Sequence, residues 1–76
     1  MEENISNLAK KGIQLMTEGG FEKASSHFDQ AIIMQPSNPD LLNRKGISLR
    51  GLGRYDEAIE CFNKSLQLDP RDLDAS

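Results

Sequence analysis

His27 and Cys61 are the side chains whose types could do chemistry, either as a thiol beside a base or as two metal ligands. A closed structural zinc site takes four ligands, so two fall short. They also sit at matching positions of two separate helical segments. A helix-packing distance of about 8–10 Å would hold them apart. They are expected to be half-buried residues on an interface between helices. The acidic residues lie on helix surfaces without a paired geometry. Gly51-Leu52-Gly53 has neither the preceding strand nor the spacing of a phosphate-binding loop. These residues predict no catalytic centre, no cofactor and no metal.

The composition narrows the remaining classes. At 76 residues the chain is one small domain, and a chain near this size buries only about 60% of its unfolded surface. Hydrophobic residues make up 37% and charged residues 28%, which places it among folded, well-solvated proteins. Aromatic residues are 5% with no Trp, so one large central core is not expected. A net charge of −3 disfavours nucleic acid as the main partner, because phosphate binding draws on a basic surplus. Lys10, Lys11, Arg44, Lys45 and Arg50 could still form a mildly basic face, although scattered lysines usually mark a solvated helix. One cysteine cannot close an internal disulfide. No apolar run approaches the roughly 18 residues of a membrane span, and the N-terminus lacks the apolar segment of a secretory signal. The expectation is a cytoplasmic protein with no membrane and no nucleic-acid partner.

The elements that carry these residues follow from an internal period. Sliding the sequence by 34 residues matches Leu8 with Leu42, Lys11 with Lys45, Gly12 with Gly46, Ile13 with Ile47 and Leu15 with Leu49. It also matches Gly19 with Gly53, Ala24 with Ala58, Phe28 with Phe62 and Pro36 with Pro70. Most are small, apolar or helix-breaking residues, which is the signature of shared packing. Each unit divides into two helices: about 3–18 and 21–34, then about 39–52 and a last amphipathic helix within 51–70. In that last helix Tyr55, Ala58, Ile59, Phe62, Leu66 and Leu68 recur at three- and four-residue spacing and are expected along one packed side. The Gly51–Gly53 pair is expected to open that helix and Pro70 to close it. Asn38, Pro39 and Asp40 form a start signal for the third helix. Gly12 and Gly46 would let paired helices approach closely, with Phe28 and Phe62 filling the space beyond. Short connections make the neighbours antiparallel.

With this skeleton of Leu, Gly, Tyr, Ala, Phe and Pro at a 34-residue period, the sequence resembles the tetratricopeptide repeat family. The resemblance covers residues 5–72, with one repeat at about 5–38 and a second, closer match at about 39–72. Residues 73–76 would begin a truncated third repeat or form a tail. The resemblance implies an all-α fold, a fragment of an α-solenoid made of four antiparallel helices. It also implies a concave face, lined by the first helices, that binds a peptide or helix of a partner protein. Members that clamp a C-terminal carboxylate carry a lysine and asparagines on that face. Here the corresponding positions hold Ala9, Ile13 and Arg44, so the clamp pattern is not present.

The groove expected on this basis carries Ala9, Ile13 and Met16 from the first helix and Asn43, Ile47 and Arg50 from the third. Its apolar character points to an apolar helix or peptide, with Arg50 meeting an acid. The alternative is that these residues pack against a chain terminus or sit partly buried between helices. A second surface is the edge formed by Leu49, Leu52, Ile59, Phe62, Leu66 and Leu68. About three repeats are usually needed for a stable stack. The chain is therefore expected either to belong to a longer array or to self-associate, for example as a homodimer covering this edge. The leading function is a protein-interaction scaffold; the rival is a self-assembling structural unit.

Overall fold

The computed structural model describes residues 5–68, which form four helices: α1 (Ile5–Thr17), α2 (Phe21–Met34), α3 (Pro39–Gly51) and α4 (Tyr55–Leu68). No strand occurs among the described residues. The fold is all-α. Helix α1 packs on α2, α2 on α3 and α3 on α4, while α1 touches α3 only slightly. Two helical hairpins are thereby stacked through the α2–α3 contact. Among the described residues no helix is long and apolar enough to cross a membrane.

Local chemistry sets the helix boundaries. At the end of α1 the Gly20 N–H donates to the Leu15 carbonyl at 2.7 Å and the Gly19 N–H to Met16 at 3.0 Å. At the end of α3 the same pair recurs, Arg54 to Leu49 at 2.9 Å and Gly53 to Arg50 at 3.0 Å. This is the Schellman closure, which needs a left-handed residue just past the helix. Gly19 (φ 87°) and Gly53 (φ 83°) supply it. Gly51 therefore ends α3 and does not open α4, which starts at Tyr55 after the turn. The Asn38 side chain accepts from the N–H groups of Asp40 (3.0 Å) and Leu41 (3.4 Å), with Pro39 in the first turn of α3. The expected closing proline of α4, Pro70, lies outside the described residues, as do residues 3–4 of the expected first helix.

The core falls into two clusters, as the low aromatic content implied. Leu8, Ala24, Phe28, Ala31 and Leu41 tie α1, α2 and α3 together. Leu49, Ala58 and Cys61 join α3 to α4 with Phe62 alongside. The side of α4 that packs is rotated from the expected one. Ala58, Cys61 and Ser65 are buried, whereas Tyr55, Ile59 and Leu68 are exposed. The cause is that α4 packs on α3 alone among the described helices. Ser65 Oγ donates to the Pro39 carbonyl at 3.2 Å, so this buried hydroxyl is satisfied while joining α4 to the start of α3.

Candidate functional site

The six residues expected to line the groove lie on α1 and α3, three on each. Ala9, Ile13 and Met16 follow one another at the spacing of a single helix face, as do Asn43, Ile47 and Arg50. Ala9 and Met16 are half-buried and pack against the first core cluster, so part of their surface belongs to the fold. Ile13 is 37% exposed, Ile47 and Asn43 are half-buried, and Arg50 is exposed. Ile13 and Ile47 thus occupy one register position on the first helix of each hairpin, and both retain some surface.

The expected edge is divided by the structure. Leu49 is only 3% exposed, because it faces α4 within the second core cluster; it is not an edge residue. Phe62 and Leu66 are half-buried, while Leu52, Ile59 and Leu68 are exposed. Tyr55, placed on the packed side by its spacing, is 62% exposed and joins this surface.

Two features were not anticipated. Lys45 of α3 pairs with Asp29 of α2 across the joint between the hairpins. Burial alone would lower the Lys45 pKa, but the hydrogen bond and charge of Asp29, together with the smaller pull of Cys61 and Glu57, outweigh it, and the group stands above its ordinary value. Nothing in the sequence marks this pair except that Lys45 repeats Lys11. The second feature is a cleft of about 180 Å³ beside α3, lined among others by Lys45, Glu57, Cys61 and Lys64. Burial pushes the Cys61 thiol up, against the pull of Lys45 and Lys64, so it is held as the neutral, poorly nucleophilic form. His27 is half-buried and its Nδ1 donates to the Lys23 carbonyl at 2.8 Å. Among the described residues no three of His, Cys, Asp or Glu gather where they could hold a metal ion.

Hairpins stacked so that the second helix of one packs on the first helix of the next define an α-solenoid of helix–turn–helix repeats. Residues 39–72 match the tetratricopeptide repeat, and the four helices fit repeats of that kind. The matched residues are the second unit of the 34-residue period; the first hairpin repeats its helices and its turn. Tetratricopeptide repeats are generally protein–protein interaction modules, scaffolds without catalysis of their own. No curated protein matches the chain as a relative.

Proposed function

We propose that this chain is a cytoplasmic binding module whose α1 and α3 present a groove to a peptide or helix of a partner protein. The observation that carries the reading is the register of Ile13 and Ile47. Both are apolar at the same repeat position, and neither is fully used by the core. Ala9 and Met16 extend the apolar surface along α1, Asn43 supplies a polar contact, and Arg50 offers a cation to an acidic residue of the partner. The free thiol of Cys61 accords with a reducing compartment.

Selection from a random peptide library on the intact chain tests this. Enriched peptides should combine branched apolar residues with an acid and should lose binding on Ile13→Asp or Ile47→Asp. Arg50→Glu should weaken only those that carry the acid. Peptides whose binding survives both isoleucine substitutions would sink the groove reading. If instead the wild-type chain is an oligomer that Ile13→Asp dissolves, these residues serve homo-oligomerisation.

A further inference from the structure

The cleft beside α3 is one part of a longer slot. Ile32, Leu42 and Lys64 line both it and a second cleft of about 350 Å³ that ends at Pro36 and Leu68. Because α4 packs on α3 alone, space is left between α2 and α4, and Leu42, Lys45 and Leu49 of α3 form its floor. Those three recur at the spacing of one helix face, while Asn43, Ile47 and Arg50 of the groove lie on another. On α4 the slot is walled by Glu57, Glu60 and Lys64. At 100° per residue these fall opposite Tyr55, Ile59 and Phe62. Within the chain α3 meets α2 at Phe21, whose counterpart is Tyr55. A following unit would therefore meet α4 on its far side and leave the slot uncovered.

The slot changes character along its length. At one end Glu57 and Glu60 are both exposed; Glu57 meets Arg54 only at 3.9 Å, and Glu60 forms no ion pair among the described residues. At the other end Ile32, Leu42, Pro36 and Leu68 present apolar surface. Lys45 in the floor is neutralised by Asp29. The wall helices α2 and α4 carry Glu22, Asp29, Asp56, Glu57 and Glu60 against Lys23 and Lys64, so the field on this side favours a cation. From Glu60 to Leu68 is about 12 Å of helix. An extended strand covers that length in about four residues.

The chain's own residues do not fit this slot. Among the described residues every lysine and arginine except Arg54 lies on a helix, and Arg54 belongs to the turn before α4, so a second copy offers no extended basic segment. A tail running back from Leu68 would need its apolar residue first and its cation later. In the sequence Arg71 precedes Leu73, among Asp69, Asp72 and Asp74. Residues 1–4 carry no basic side chain.

We propose that the slot between α2 and α4 is a docking site for an extended segment of another protein, with a basic residue and an apolar one four positions apart. The cation meets Glu57 and Glu60, and the apolar side chain enters between Ile32 and Leu68. Lys64, midway, donates to a backbone carbonyl of the segment. The site uses a different side of α3 from the groove and does not depend on the groove binding anything.

The probes are two serine-based peptides with paired arginines and paired leucines four positions apart, one in each chain direction, titrated into the full chain with amide-shift mapping. At least one should saturate below about 1 mM, with the largest shifts at Ile32, Lys45, Glu60, Lys64 and Leu68. Glu60→Lys should weaken it at least about tenfold, and Leu68→Asp about tenfold; both positions are exposed, so helicity should not change. Ile13→Asp, in the groove, should have no effect. The proposal is overturned if neither peptide saturates, if the shifts fall in the groove, or if binding survives Glu60→Lys. Equal binding after glutamate replaces the arginines overturns it too. So do slot amides that move in the peptide-free chain on dilution or on Arg71→Glu, since a second copy or the tail would then own the slot.

Discussion

A Cβ built on Gly46 would lie 2.6 Å from Cε1 of Phe62, and one on Gly12 would lie 2.6 Å from Cε1 of Phe28. In each hairpin the glycine is the slot into which the aromatic ring of the partner helix fits. Alanine gains about 1 kcal/mol over glycine in helix propensity, while overpacking costs about 1–3 kcal/mol. The balance depends on whether the ring can retreat. Phe28 has no exposed surface, and α3 covers it from behind; Phe62 is half-buried beside an open face. Gly12→Ala is therefore expected to lower stability by up to about 2 kcal/mol net. Gly46→Ala should be distinctly milder. Urea unfolding followed by circular dichroism measures both, and a larger loss at Gly46 would contradict the account.

Gly53 presents a different problem, since a Cβ there meets nothing within 4 Å. Only its backbone, at φ 83°, resists substitution. Gly53→Ala should cost about 1–2 kcal/mol through the left-handed conformation alone, and Gly53→Asn less. Chemical synthesis with D-alanine at this position should recover the loss or exceed wild type. A D-alanine protein no more stable than the L-alanine one would show that strain is not the cause.

Asn38 is the side-chain cap of α3, holding two N–H groups while its own amide donates to Gln35 Oε1 at 3.0 Å. Asn38→Ala should cost about 1 kcal/mol. Asn38→Ser and Asn38→Asp keep an acceptor and should restore most of it. Hydrogen exchange provides a local reading: the Asp40 and Leu41 amides should lose protection in the alanine variant before the rest of α3 does.

The period carried most of the fold because it rests on residues with local effects: a glycine after each first helix, Asn38-Pro39 before α3, and the Gly12–Phe28 and Gly46–Phe62 fits. Burial depended on neighbours that one helix's spacing cannot report. Tyr55 and Ile59 lie on the apolar stripe of α4, yet α3 covers only the side that bears Ala58, Cys61 and Ser65. Leu49 read as an edge residue for the same reason; its side of α3 is the side α4 occupies. The ion pair of Lys45 joins residues of different hairpins, so no local pattern could announce it.

That ion pair sets an alkaline limit. Folding raises the Lys45 pKa above its ordinary value of 10.5, because Asp29, with lesser help from Cys61 and Glu57, offsets the effect of burial. A base bound more tightly to its proton in the folded state stabilises that state below the unfolded pKa, and the contribution disappears as pH rises through the folded one. Both side chains keep contact with solvent, so screening holds the pair to about 0.5 kcal/mol. Asp29→Asn should be less stable than wild type by about that amount at neutral pH. The two stability curves should converge above the ordinary lysine value. Because the pair bridges α2 and α3, added salt should narrow the neutral-pH gap in the same way. A difference that persists at strongly alkaline pH would assign the effect of Asp29 to packing and not to charge.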